Sequence, residues 1–493
     1  MANPPLKTSP ILIVGAGVFG LSTALYLHRS GYSNVTIFDR QPYFRNAYST
    51  LDGADAASAD INKVMRLSYG KELLYQKLAF EAIDIWNEWN QSIAKSKQED
   101  LPRGIEQGDK IWNNCGFLRL SKDGKISQFE EDTLESLERE GLRDTQYVIG
   151  DANDEKRARQ FGLQRRFDPM DLRAREGALV GVYDTLGGFV NASKACTWVL
   201  HLLSKTSVKL ILGGDNGSVT GFIRTAQGKT VGINTADGIS HYGELVLVAA
   251  GPWTPTLLPH VANMLEATAG SVAYIQLPPK EETPDLWTKY APENMAVYSW
   301  GGWGKGSGLG GFPRSESGVM KIGYRGTKYT NYMMVVDERA GKVRSVSQPV
   351  TASWPEKREE QITKQAVDAI KGMVCDLFPD LKSFGISSVR NCWYTDSLDN
   401  NFVMDRDPED EGLMVCSGGS GHAFKFLPIL GREAVRIIEE PTTKNEYGNL
   451  WRWRTIFDDL KNGLEEGETG PRVWAKQRMA SKKDWEFQER VNL

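Results

Sequence analysis

Gly15, Gly17 and Gly20 form a G-x-G-x-x-G motif directly behind a short apolar run, Ile11–Val14, and this leaves the N-terminal region few folds to adopt. The run reads as a buried strand. The stretch LSTALYLHRSG that follows has helical spacing, with Leu21, Ala24, Leu25 and Leu27–His28 on or near one face and Gly31 as the stop. NVTIFDR is a second strand ending in Asp39. In such a strand–turn–helix unit each glycine has a task. Gly15 permits the tight turn, Gly17 lets the backbone approach a pyrophosphate, and Gly20 lets the helix sit close on the strand. The helix N-terminus faces the phosphates, and Asp39 stands where a carboxylate accepts from a ribose hydroxyl. An acid at that strand end disfavours NADP and leaves NAD or the ADP half of FAD.

At 493 residues the chain exceeds one simple core, so two or three domains are expected. A net charge of −4 argues against a nucleic-acid partner. No apolar run approaches the roughly 18–20 residues of a membrane span. The first residues lack a secretory pattern and the last, RVNL, do not match S-K-L, so a cytoplasmic enzyme is expected. The five cysteines, Cys115, Cys196, Cys375, Cys392 and Cys416, show no CxxC spacing, which indicates neither a disulfide framework nor a zinc site. Of the five histidines only His422 falls in a glycine-rich motif, and there is no nucleophile–base set and no metal cluster. The 49 glycines and the many aromatics suit close backbone approach and a lined pocket, although large cores also use aromatics.

Six blocks then follow in order: SADINKVMRLSYGKE (Ser58–Glu72), GGFVNASKA (Gly187–Ala195), LVLVAAGPWTPTLL (Leu245–Leu258), GVMKIGYR (Gly318–Arg325), NCWYTDSLDNNFVMDRDP, and CSGGSGHAFKFLPILG (Cys416–Gly431). Together they resemble the monomeric sarcosine oxidase and amadoriase (fructosyl amino acid oxidase) group of FAD-dependent amine oxidases. The resemblance covers most of the chain and is weakest over Asp151–Arg175 and Lys461–Leu493. It implies an α/β fold: a Rossmann-type FAD domain from 1–75, 180–265 and 385–440, and a discontinuous α+β substrate domain with a mixed or antiparallel sheet from 76–179 and 266–384. A C-terminal segment, 441–493, would pack on the FAD domain. Tyr298–Pro313, rich in glycine, reads as loop between strands, and Glu72–Trp89 as a helix whose Leu74, Leu78, Ala82, Ile85 and Trp89 pack into core.

The resemblance also assigns roles. Around the FAD it places Gly15, Gly17, Val18, Phe19, Gly20, Asp39, Arg40, Ser58, Asn62, Lys63, Gly251, Trp253, Cys392, Gly419, Gly421, His422, Phe424 and Lys425. Cys392, in R-N-C-W-Y-T, would be joined through sulfur to the flavin, where a cation such as Arg390 favours the thiolate; Cys416 is the rival attachment point. Lys321 would activate O2 by stabilising developing negative charge, with Lys63 near the other flavin face. Arg66 and Lys425 would clamp the substrate carboxylate. Where amadoriases carry a sugar-binding glutamate this chain has Arg325, which weakens a fructosyl-amino-acid reading and either pairs with a second acidic group, as in saccharopine, or faces solvent. Trp300, Trp303, Trp393 and Tyr394 are candidate pocket residues, with core packing as the other reading. The implied reaction takes an amine bearing a carboxylate, N-methyl or otherwise N-alkylated, to an imine with O2 reduced to H2O2, in a monomer with no partner beyond substrate and O2. The nearest picture is the fungal branch with amadoriases, saccharopine and pipecolate oxidases and the flavoenzyme of fumisoquin biosynthesis, which uses N-methylated tyrosine-type intermediates. A fructosyl amino acid oxidase, an NAD-linked dehydrogenase and a non-catalytic flavin scaffold are the alternatives; the blocks around Lys321, Cys392 and Lys425 speak against the last two.

Overall fold

The computed structural model describes residues 3–176, 179–301, 308–350, 362–441, 443, 445–454 and 466–487. Trp303 lies outside them, as do 461–465 and 488–493 of the C-terminal stretch. The apolar run Ile11–Val14 is fully buried and forms the centre of a six-stranded sheet. It pairs in parallel with Val35–Asp39 on one side and Leu245–Val248 on the other. Lys209–Leu212 and Asp410–Ser417 extend the two flanks in parallel, and Val403–Asp407 closes one edge antiparallel. Strands buried on both faces read as continuous apolar runs, which is why Leu245–Val248 looks as it does.

The helix after the glycine motif, Val18–Arg29, buries almost every residue from Phe19 to Leu27, more than a single amphipathic stripe. It lies between the sheet and the helices Ala192–Ser204 and Leu430–Glu439. The contact with the latter depends on Gly431: a Cβ there would lie 1.9 Å from the Ser22 carbonyl oxygen, and the Gly431 N–H donates to Ser22 Oγ at 2.8 Å. On the other face, a meander of Val219–Arg224, Thr230–Thr235 and Ser240–Tyr242 packs Phe222 and Ile233 against Leu12, Val14, Val246 and Val248.

A second, eight-stranded sheet runs Ser388–Ser397, Leu265–Gln276, Val319–Tyr329, Leu309–Gly311, Val297–Trp300, Phe117–Leu120, Gly181–Asp184, Gln146–Ile149. It is antiparallel except for Val297–Trp300 beside Phe117–Leu120, so it is the mixed sheet of the α+β expectation. Val297–Trp300 and Leu309–Gly311 pair with each other, so both ends of the stretch read as loop are strand. Gly181–Asp184 and Ser388–Ser397, grouped by sequence with the nucleotide segments, are bonded into this second sheet. Apolar periodicity identifies a strand but not which sheet it joins.

One face of this sheet carries Ile322, Tyr324, Ala273, Ile275 and Tyr298 into a core capped by the helix Lys364–Leu377. The helix Leu73–Lys95 buries Tyr75, Leu78, Ala82, Trp86, Trp89 and Ile93, a stripe centred on Trp86, with Leu74 and Ile85 only partly covered. The C-terminal stretch divides. Trp451 packs on Phe402 and Tyr447 at the nucleotide sheet, whereas Trp474 packs on Tyr329 and Trp393 at the second sheet.

Gly431→Ala should therefore cost about 1–3 kcal/mol or more, as overpacking of a close interface does. Gly372→Ala, on an exposed helix position with no atom within 4 Å of a new Cβ, should be neutral or stabilising by about 0.5–1 kcal/mol. Thermal midpoints of the two variants measured side by side check this.

Candidate active site

Three groups of side chains meet between the two sheets. The first is the glycine turn. Gly15 has φ +110°, and a Cβ there would lie 2.4 Å from the Ala249 carbonyl oxygen; one on Gly20 would lie 1.9 Å from the Gly15 oxygen. These contacts hold strand, turn and helix closer than any side chain permits. The Val18 N–H donates to Ser58 Oγ at 3.1 Å, and the first turn of the helix has no acidic residue and no side-chain cap. Asp39 accepts from the Ala16 and Gln41 N–H groups, both at 2.8 Å, and so turns its carboxylate toward the glycine loop; burial raises its pKa. Arg40 lies 4.1 Å over the Trp253 ring. Buried Tyr48, at φ +56°, donates from its hydroxyl to the Ala16 oxygen at 2.8 Å and stacks on Tyr43. Sequence reading missed Tyr48, because an aromatic in an irregular segment has no periodic signal.

The second group centres on an acid that sequence reading also missed, Asp60. Its Oδ2 lies 2.7 Å from Lys63 Nζ and 2.7 Å from Lys321 Nζ. Burial opposes the charge on Asp60, but Lys321, then Lys63 and Arg390, outweigh it and hold the carboxyl well below the usual range. Lys321 also donates to the Asn62 carbonyl at 2.7 Å. Burial, assisted by Lys63 and resisted by Asp60, brings Lys321 down to about 8. Lys63 donates to Cys392 Sγ at 3.4 Å. Arg390, expected to serve this thiol, directs its hydrogen bonds to the Ala59 and Ala56 carbonyls at 2.6 and 2.9 Å. Asn62 Oδ1 is buried and has no partner.

Strand register gathers these residues. Arg390, Cys392 and Tyr394 oppose Val272, Gly270 and Thr268, while Lys321 opposes Tyr274 and Gly323 opposes Val272. Alternation then sets Lys321, Arg325, Arg390, Cys392 and Tyr394 on one face. It sets Trp393 on the other, against Ala269, Tyr329 and Trp474, and Trp300, paired with Leu309, there too. Both tryptophans are core, not pocket. Cys416 is buried within the nucleotide sheet opposite Met404, and burial pushes its thiol up.

The third group is cationic. Lys425, on the turn Phe424–Phe426, donates to Tyr69 OH at 2.9 Å, and the Arg66 guanidinium lies 4.5 Å over the Tyr69 ring. Arg66 also donates to the Ser68 carbonyl. Arg325 donates from Nε to Tyr394 OH at 3.1 Å, with its guanidinium against Gly421. Burial, then Arg66 and Arg325, hold Lys425 far below an ordinary lysine. Burial and the same cations keep His422 neutral, its Nε2 donating to the Asn400 carbonyl at 3.0 Å and its Nδ1 3.3 Å from Tyr69 OH. The loop that brings Gly419 and Gly421 here contains Ser420 at φ +44°, and Gly419 packs on Phe19 and Ala423. Gly251, at φ +54°, begins the turn after Leu245–Val248. Phe424 is core. Glu72, exposed at the rim, is the acid that acts on Lys425.

The first group fits the ADP portion of a dinucleotide, and the unpartnered Asn62 oxygen fits a polar ring edge beside Cys392 and Lys321. Among the described residues no group of side chains could hold a metal ion, and no helix is long and apolar enough to cross a membrane. Comparison with known proteins agrees with the geometry. L-saccharopine oxidase of Schizosaccharomyces pombe is 28% identical over 92% of this chain and 95% of its own. N-methyl-L-tryptophan oxidase of Shigella dysenteriae is 24% identical over 87% of this chain and 95% of its own. The solved structure of fructosyl peptide oxidase from E. terrenum superposes with a TM-score of 0.71 at 25% identity, covering 91% of this chain and 93% of the other. The family described as FAD dependent oxidoreductase, DAO, matches residues 10–437, and the chain belongs to it.

Proposed function

We propose that this protein is an oxidase of the secondary amine of N-substituted α-amino acids, with FAD joined to Cys392. The observation that carries the reading is the charge of the third group: Lys425, Arg66 and Arg325 act on one another at close range, with exposed Glu72 the acid that offsets Lys425. Such a pocket calls for an anion, and a substrate carboxylate supplies it. Bound FAD supplies the two-electron chemistry, taking electrons from the amine carbon and passing them to O2.

The protein's own groups orient and stabilise. Lys425 and Arg66 bind the carboxylate, with Tyr69 fixing the lysine. Neutral His422 adds no competing charge. Lys321 provides a fixed cation where negative charge develops on oxygen. Lys63 beside the Cys392 sulfur supports Cys392, and not core-bound Cys416, as the attachment point. Asp39, Ser58 and the glycine turn hold the ADP portion. The nucleotide segments and the substrate segments of the chain are proposed as the two domains, meeting at this site.

A narrower reading separates small N-alkyl groups, such as N-methyl on a tyrosine-type amino acid, from an N-substituent with its own carboxylate. Arg325 favours the second: among the described residues only its Nε has a hydrogen-bond partner and no acid lies within ion-pair distance, Asp396 acting on it from further off. The name of the saccharopine-oxidising relative points the same way. A sugar substituent has no support from a guanidinium.

Anaerobic bleaching of the flavin by saccharopine, N-methyl-tyrosine and fructosyl-valine tests the reading. Bleaching by either of the first two is expected, and bleaching by fructosyl-valine alone would overturn it. Lys425→Met should raise the half-saturating substrate concentration about 10- to 100-fold, the worth of a charge-assisted hydrogen bond of about 1.5–3 kcal/mol. After acid precipitation, flavin should stay with the wild-type pellet and leave with the supernatant in Cys392→Ser; a yellow Cys392→Ser pellet would move the attachment to Cys416. Because burial and neighbouring cations depress Lys425, a bound carboxylate should raise its pKa and draw in a proton. The binding enthalpy of a non-oxidised N-acyl amino acid, compared in buffers of different ionisation enthalpy, should show that uptake below the ordinary lysine range and lose it in Lys425→Met.

A further inference from the structure

Asp60 has no part in binding substrate or nucleotide in the reading above, yet it is almost completely enclosed, 1% exposed. Its backbone is pinned: the Asp60 N–H donates to Ser193 Oγ at 3.1 Å, and its carbonyl accepts from the Ser193 N–H at 2.9 Å. Its Oδ1 accepts from the Ile61 N–H at 2.9 Å. Oδ2 alone faces two ammonium groups, each at 2.7 Å. One of these, Lys63, reaches on to the Cys392 sulfur; the other, Lys321, reaches on to the Asn62 carbonyl. A continuous line therefore runs from Cys392 through Lys63, Asp60 and Lys321 to Asn62.

We propose that Asp60 is the positioning residue that keeps Lys321 charged and in place beside the reacting face, and ties it to the lysine next to the Cys392 sulfur. The proposal rests on the role read for Lys321 above. A lysine this buried tends to lose its proton, and a second ammonium nearby adds to the tendency. The groups facing Lys321 are Asp60, Lys63 and Cys392, with Tyr274 opposite it on the neighbouring strand and the Phe312 ring 4.9 Å below its ammonium. Asp60 is itself faced by Arg390 as well as by the two lysines. Asp60 is thus the carboxylate that opposes the pressure on Lys321 to neutralise, ahead of the smaller effect of Cys392. A buried ion pair is weak as a stabilising device, because two well-packed apolar residues serve a core at least as well. One carboxylate held between two cations instead fixes where charge sits.

The test uses FAD-loaded wild type, Asp60→Asn, Asp60→Glu, Lys321→Met and the Asp60→Asn/Lys321→Met double variant. Each is reduced anaerobically and mixed with O2 across pH, and thermal midpoints are measured over the same range. Wild-type re-oxidation should slow as pH rises through about 8, where Lys321 loses its proton. In Asp60→Asn that limb should move down by about one pH unit or more. Re-oxidation at pH 7 should then be about twofold slower for a one-unit shift and about tenfold slower for a two-unit shift. Asp60→Glu should return the limb toward wild type. The double variant should match Lys321→Met alone. The stability readout has a fixed sign. A lysine whose folded pKa lies below its unfolded value leaves the unfolded chain binding more protons between the two, so stability rises with pH across that window. The rise should begin near pH 8 in wild type and lower in Asp60→Asn. Identical pH dependence in wild type and Asp60→Asn, with Lys321→Met slow, would overturn the proposal alone. A fast Lys321→Met would instead remove the role read for Lys321, and this proposal with it.

Discussion

Positive charge removed from water is the constraint around which the site is built. Lys63, Lys321, Lys425, Arg66, Arg325 and Arg390 all come together between the sheets, and a buried cation without a partner costs several kcal/mol. The protein meets that cost in three ways. Carbonyl oxygens of Ala56 and Ala59 satisfy Arg390. A single carboxylate, Asp60, serves Lys63 and Lys321. Aromatic groups serve the rest: the hydroxyl and ring of Tyr69 for Lys425 and Arg66, and the hydroxyl of Tyr394 for Arg325.

Bringing these groups together is the work of strand register. Cys392, Tyr394 and Arg390 share a face because they are two apart, and Lys321 and Arg325 join them because their strand, on the other edge of Leu265–Gln276, is in register on the same face. A slip of one residue would turn all of them into the helix-covered core and expose Ile322, Tyr324 and Trp393 in their place. The large core on that opposite face therefore specifies the charged face. The nucleotide sheet contributes through the contacts of Gly15, Gly20 and Gly431, which draw helix and strand together.

The nucleotide half was legible because its signals are local. The strand, turn, helix and acid of residues 10–40 lie in one continuous run, and each glycine answers to a contact within it or with the neighbouring strand. The site was legible only in part. Lys321, Lys425 and Cys392 stand out as polar residues within apolar or aromatic runs. Asp60 does not, since an acid in SADINK reads as an ordinary solvated residue until the fold buries it. Trp393, open in the sequence between pocket and core, is core for a reason present there: adjacent residues of a strand point to opposite faces, so Trp393 and Cys392 do not line one pocket. Gly181–Asp184 and Ser388–Ser397 show the same limit at the level of sheets, where pairing depends on contacts distant in sequence.

The two ends of the charged region differ in how their charge is balanced, and the difference fits two tasks. At the Lys321 end the counter-ion is part of the chain and pinned through Ser193, so the balance is permanent and independent of what else is bound. At the Lys425 end the acid that acts on the lysine is Glu72, exposed at the rim, and burial, then Arg66 and Arg325, depress the lysine. A cation that must act on a small neutral molecule such as O2 needs its charge before that molecule arrives. One that must grip a carboxylate gains from being underbalanced, because the carboxylate then relieves a strain that no protein group relieves. A permanent acid beside Lys425 would compete with substrate, and the lack of one beside Lys321 would let its proton go. In the proposed reading, the placement of Asp60 at one end and not the other is what lets one buried cluster of cations serve both half-reactions.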